Sequence, residues 1–258
     1  MGAVAGPVHA ASAVTEGAAA GWSGQSQTWD VNLYRNGAVR WQNPDSRACT
    51  AASTMSMLNL IAYATDEVLP ARGTAGPRVD LLWQVDTSYP KQEEILTFER
   101  LNMSAGLWVL GSDPHGWRNA LNKYGWGSMT AGVYRDASYG SFDEAAWAVV
   151  TSLARTNKPV GILGWFGGHA QFVSGYRVTG GDPRVSDNFT IDGVYLTDPW
   201  APDGIRNQLV TYDTWKKGPD YIRFDRYWQT DWTARDPIDG KVGSSEWRGK
   251  WVIEQPTL

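Results

Sequence analysis

Three residues far apart in the chain carry side chains that could together do nucleophilic chemistry: Cys49, His169 and Asp198. Cys49 is the only cysteine in 258 residues, which leaves it no internal disulfide partner. A thiol attacks as the thiolate, and an imidazole within reach can take its proton and return it later. A carboxylate behind the imidazole fixes the ring tautomer and favours its charged form. The competing reading of a lone cysteine is a small buried hydrophobe with no chemistry.

Those three groups work only if the chain holds them together, so the elements around them matter. Downstream of Cys49, apolar residues recur at Ala51, Met55, Leu58 and Ala62, the spacing of a helix, with no proline or glycine before Pro70. Met57, Leu60 and Ile61 add a second apolar face, which predicts a helix buried on more than one side. Upstream lies a polar loop of Asn43, Pro44, Asp45, Ser46 and Arg47, which puts Cys49 at the helix N-terminus. Unpaired N–H groups and the positive end of the helix dipole favour a thiolate there. His169 lies in GWFGGHAQFVSGY, and the strand formers from Ala170 to Val178 predict a strand that begins at the histidine. Gly167 and Gly168 let backbone approach it closely. A loop runs from Gly180 to Asn188, and a second strand, Ile191 to Thr197, ends in Asp198-Pro199-Trp200. Antiparallel pairing of the two would set His169 and Asp198 side by side.

With these residues placed, the chain resembles the papain-like cysteine peptidases, nearest to the double-glycine (bacteriocin-processing) peptidase-like branch. The resemblance rests on Cys49-Thr50-Ala51-Ala52-Ser53 opening a helix and Gly167-Gly168-His169 opening a strand. Gly175-Tyr176 near the strand's end and Asp198-Pro199-Trp200 after the next strand add to it. The segments Ser112 to Tyr124 and Lys158 to Gly161 also fit, so the likeness runs from about Gln42 to Trp200. It implies an α+β papain-like fold, a helical half and an antiparallel sheet half with a cleft between. It implies Cys49 as nucleophile, His169 as acid and base, Asp198 as the orienting group and Gln42 as oxyanion donor. A peptide or protein would be the substrate, and the setting secreted or at the surface of a bacterium, with a cytoplasmic place as the alternative. Two departures stand out: Gln42 is one residue further from the cysteine than the family's usual spacing, and Thr50 replaces the glycine that usually follows the cysteine.

Composition bounds the rest. Apolar content of 42% and charged content of 19% are those of a globular protein. A net charge of −4 gives no electrostatic reason to expect nucleic acid or an anionic membrane as partner. No apolar run approaches the ~18–20 residues of a membrane-spanning helix. No cofactor is implied, and a zinc reading lacks any second pair of ligands at metal spacing beside Cys49 and His169. Nothing specifies an oligomeric state. The fifteen tryptophans are expected mostly in the core, with a few free to line a groove.

Residues 1–21 are small and apolar and read as a flexible leader or the remnant of a signal peptide without its basic start. Residues 22–258 read as one domain, with an aromatic-rich extension over about 204–258 that extends the sheet and rims the cleft. Residues 22–41 predict one or two strands, and Val79–Val85 and Gln92–Met103 short helices. Glu93, Glu94, Glu99 and Arg100 are expected on a solvated face. Asp113-Pro114 starts a helix through Tyr124, with His115 expected at its surface or cap. Ser141 and Glu144 form a capping box for a helix over Phe142–Thr156, and Pro159–Trp165 is a strand. Two other classes share these features: an acyltransferase or transglutaminase-type enzyme, and a non-catalytic module that binds peptide or glycan through its tryptophans.

Overall fold

A computed structural model describes residues 26–64, 80–104, 111–200, 204–228, 235–236, 238–242 and 246–257. The leader, with its signal-peptide reading, and the loop at Leu69–Gly76 lie outside the described residues. In chain order the elements are β1 (Thr28–Asn32), α1 (Cys49–Tyr63), α2 (Tyr89–Leu101), α3 (Pro114–Trp126), β2 (Tyr134–Tyr139), α4 (Phe142–Thr156), β3 (Val160–Gly164), β4 (His169–Gly180), β5 (Phe189–Thr197), β6 (Gln208–Thr211), α5 (Tyr212–Lys217) and β7 (Trp251–Pro256).

The seven strands form one antiparallel sheet in the order β2-β7-β3-β4-β5-β6, with β1 against β4 beyond the end of β3. Successive strand residues point to opposite faces, and the core divides accordingly. Leu163, Phe172 and Val252 pack under α1, α2 and α3, whereas Ile162, Val173 and Ile253 pack under α4 and α5. Helices segregated around an antiparallel sheet place the chain in the α+β class. Among the described helices none is long and apolar enough to cross a membrane.

Local chemistry accounts for most of these elements. Ser88 caps α2 and Asp113 caps α3, each followed by proline in the first turn, and Ser141 with Glu144 completes the capping box of α4. The helix expected at Val79–Val85 is absent over its described part. Asn59 of α1 holds that stretch extended: its amide donates to Asp86 O, and its Oδ1 accepts from Asp86 N and Trp83 Nε1. β1 lies within residues 22–41, where a strand is expected, β2 is a further strand from the mostly helical first half, and both join the sheet. The extension after residue 204 supplies β6, α5 and β7, and β7 inserts between β2 and β3.

Two buried contacts follow from this register. Gly161 sits opposite Glu254, and a Cβ there would lie 2.5 Å from Trp117 Cη2 and 2.9 Å from Glu254 Cβ. Gly161→Ala is therefore expected to destabilise the fold by about 1–3 kcal/mol, read as a lower urea midpoint at unchanged slope. Both carboxyl oxygens of Glu254 are buried without a hydrogen-bond partner. Burial, joined by the Asp136 charge and opposed by Arg118, holds this acid well above the usual carboxylate range. The folded state then keeps a proton that the unfolded chain loses above about 4.5, so stability falls as pH rises past that value. Unfolding free energy measured from pH 5 to 8 should fall by up to about 1.4 kcal/mol per pH unit for this group, and Glu254→Gln should remove that share of the slope.

Candidate active site

Helix α1 begins at Cys49 and is buried from Thr50 to Ile61. Unlike α2, α3, α4 and α5, it has no side-chain cap; its N-cap position is Ala48, and no acid stands in its first turn. The orphan N–H groups and the positive helix end are left to whatever Cys49 presents. The start of β4 lies against this end: Ser53 Oγ donates to Ala170 O at 3.5 Å. Burial pushes the Cys49 thiol up. The His169 imidazolium facing it, with the N–H groups of Ala170 and Thr50, outweighs that and holds the thiol below its usual range.

His169 is buried as the first residue of β4, and Asp198 is buried immediately after β5. The pairing of β4 with β5 brings them together, and His169 Nε2 donates to Asp198 Oδ1 at 2.6 Å. Nδ1 is buried without a hydrogen-bond partner. It is nevertheless the one ring nitrogen left to the thiol, and each of the two groups shifts the other's ionisation. Burial works against the imidazolium, but the carboxylate and the thiolate prevail and raise the ring well above an ordinary histidine.

Asp198 is itself fixed. Oδ1 also accepts from Trp200 N at 2.7 Å, and Oδ2 accepts from Gln171 Nε2 at 2.9 Å. The same Gln171 amide donates to Tyr221 O at 2.8 Å, which ties the acid to the segment after α5. Gln171 is two residues along β4 from His169, on the same strand face. The sequence reading passed over it, although the alternation that placed His169 carried it too. The 29-residue separation of His169 and Asp198 is filled by long strands and the turn at 181–188, where Gly181 N donates to Asn188 O at 2.7 Å.

Gln42 reaches the same place. Its backbone N–H donates to Pro199 O at 2.8 Å, so the loop ahead of α1 is stitched to the residue after Asp198. Its Oε1 is buried and unbonded, which leaves Nε2 as the end of the amide that meets the cleft. That cleft, about 790 Å³, is bordered by Gln42, Cys49 and His169, by Asp45 and Arg47 of the entry loop, by Glu93, Leu96 and Arg100 of α2, and by Trp165 and Trp200. None of its described lining residues comes from 204–228 or later, and the described part of the extension supports the site from behind.

The turn leading into β4 is strained. Trp165, Phe166 and Gly167 have φ of +48°, +53° and +85°, and a left-handed non-glycine residue costs roughly 1–2 kcal/mol. It sets the Trp165 ring 4.9 Å from the His169 ring, with Trp200 5.4 Å from the same imidazole on another side. Sequence patterning gave no sign of this packing.

Two expectations need correction. Glu99 is not on a solvated face but fully buried, on the stripe of Gln92, Ile95 and Leu96, with Thr50 Oγ1 at 2.5 Å and Thr54 Oγ1 at 3.1 Å from its carboxyl oxygens. The spacing i−7, i−4, i−3 was a visible signal that its charge obscured. His115 is likewise buried rather than at the surface. Its Nδ1 meets Ser104 Oγ, and its Nε2 lies 3.1–3.5 Å from carboxyl oxygens of Asp136, Asp236 and Glu246. His115 with Asp136 and Glu246, and His115 with Asp236 and Asp239, have metal-like spacing. Arg118 already bridges Asp136 and Asp236 at 2.5 Å each, and Trp247 Nε1 donates to Asp136, so the cluster is an ion-pair network pinning the C-terminal segment to α3.

Comparison with family models, curated proteins and solved structures returns no match. Asp198→Asn tests the site's internal logic. An amide cannot accept at both edges, and a neutral partner no longer holds the imidazolium. The pH midpoint for alkylation of Cys49 by iodoacetamide should rise by about one unit or more.

Proposed function

We propose that this chain is a thiol hydrolase of the papain-like type that cleaves peptide bonds through Cys49. The observation that carries this reading is the division of labour on one imidazole: Asp198 takes Nε2, and Nδ1 is left toward a thiol on an uncapped helix terminus inside an open cleft. The α1–α3 layer on one side of the cleft and the antiparallel sheet on the other support the papain-like arrangement.

In this reading the Cys49 thiolate attacks the carbonyl carbon, and the carbonyl π electrons move to oxygen. The backbone N–H of Cys49 and Nε2 of Gln42 hold the oxyanion. As the tetrahedral intermediate collapses, the carbon–nitrogen bond breaks and His169 gives its Nδ1 proton to the departing amine. Water then attacks the thioester while His169 takes a proton from it, and the thiolate leaves with the acid product formed. Asp198 keeps Nδ1 rather than Nε2 turned to the reaction throughout. The bulky indoles of Trp165 and Trp200 shield the His169–Asp198 hydrogen bond from water, which strengthens it.

The test is alkylation followed by turnover. Wild type should be labelled once by iodoacetamide at mildly acidic pH, and His169→Ala should lose that low-pH reactivity. Turnover of a peptide library should vanish in Cys49→Ala and drop about 10²–10⁴-fold in His169→Ala. Labelling of Cys49 only after unfolding would sink the reading. Transfer of the acyl group to an added amine in place of release of free acid would make the enzyme a transferase.

A further inference from the structure

The thiol site has an acid directly behind it that the mechanism above does not use. Glu99 of α2 is fully buried, and its two carboxyl oxygens meet the hydroxyls of Thr50 and Thr54, one turn apart on α1. Thr50 is the residue next to Cys49 and stands where the resembled family has glycine. The departure in sequence therefore has a partner in the structure.

We propose, resting on the thiol-hydrolase reading, that Glu99 is a positioning residue of the active site. As the neutral acid it ties the first two turns of α1 to α2, and its ionisation places a negative charge behind the nucleophile that ends the site's working range. In the neutral form one of the two contacts runs from the carboxyl O–H to a threonine oxygen, and the other from a threonine O–H to the carbonyl oxygen. The first turn of α1, which has no cap of its own, is thereby held from the side.

The groups facing Glu99 favour the proton. Burial is the main cause, opposed by the Thr50 and Thr54 hydroxyls and reinforced by Cys49 of α1 and by Asp113 at the start of α3, and the carboxyl is raised to about 8. Tyr124 of α3 and Glu254 of β7 also feel its charge. Below that pH Glu99 carries no charge, and the field at the head of α1 that favours the thiolate can also serve the oxyanion that replaces it. Above it a second charge repels both.

The experiment is the pH dependence of iodoacetamide alkylation in wild type, Glu99→Gln, Thr50→Val and His169→Ala. Wild type should show a low-pH limb that requires His169, and a second inflection near pH 8. The expected step in alkylation is a rise of about threefold in rate for each unit by which the new charge raises the still-ionised thiol, because nucleophilicity climbs with basicity. Glu99→Gln should lack the upper inflection, and Thr50→Val, which removes a hydroxyl that favours the charged form, should move it upward. Should Glu99→Gln fail to fold, carbon-13 NMR of wild-type glutamate carboxyls reads the same group: one should titrate near pH 8 and shift in Thr50→Val. Identical profiles in wild type and Glu99→Gln, or no glutamate titrating near pH 8 whose midpoint moves in Thr50→Val, overturn the assignment of Glu99 and leave the thiol site standing. A single ordinary thiol titration that ignores His169→Ala overturns both.

Discussion

A buried helix that begins without a capping side chain is the constraint around which this molecule is arranged. Every other α-helix of the described residues takes a serine, threonine or aspartate oxygen at its first turn. Helix α1 takes none, and lies in the core from Thr50 onward, where its terminal N–H groups cannot all turn to water. A group that accepts hydrogen bonds and carries negative charge satisfies this end best, and the side chain supplied there is a thiol that becomes such a group only by losing its proton. The first residues of β4 then supply the remaining parts. Ala170 serves the thiol with its N–H and Ser53 with its carbonyl, and His169 brings the counter-charge.

The proton accounting around this end is consistent. Folding lowers the thiol and raises His169, and these two shifts act in opposite directions on stability as pH rises, so they offset each other in part. Glu99 and Glu254 behave differently, because each keeps in the folded state a proton that the unfolded chain releases.

How far the sequence reached follows from the range of each interaction. Helix starts were legible because a cap, a proline or an apolar stripe lies within four residues of the boundary, and α1, α3 and α4 all begin at or within a residue of the expected place. The first residue of β4 was legible for the same reason, and with it the proximity of His169 to Asp198 across one antiparallel pair. What escaped was set by contacts between distant segments. Strand β7 enters the sheet between β2 and β3, more than 85 residues after β3 ends, and no local pattern distinguishes that slot from an edge. His115 was read as a cap-side residue because its acids come from residues 136, 236 and 246. Glu99 was misplaced for a different reason. Its position on an apolar stripe is readable, but its charge hides that burial and nearby acids keep it protonated against the pull of two hydroxyls.

The strained turn before His169 shows how the site is held. Two left-handed non-glycine residues in succession persist only where surrounding contacts fix them. Here Phe166 is bound on both sides of its peptide, with its N–H directed to Asp225 Oδ2 at 3.4 Å and its carbonyl accepting from Trp228 N at 2.9 Å. Gly167 has no room for a side chain, because a Cβ there would meet the Tyr227 ring at 2.4 Å. All three of these clamps come from residues 225–228, in the extension that does not line the cleft. The described part of the extension is the anvil against which the turn is bent. The bend is what lays Trp165 along the imidazole and starts β4 at the histidine. Relaxing that turn would move His169 relative to Cys49 without touching either residue, so the integrity of the pair depends on a segment more than fifty residues downstream of the histidine.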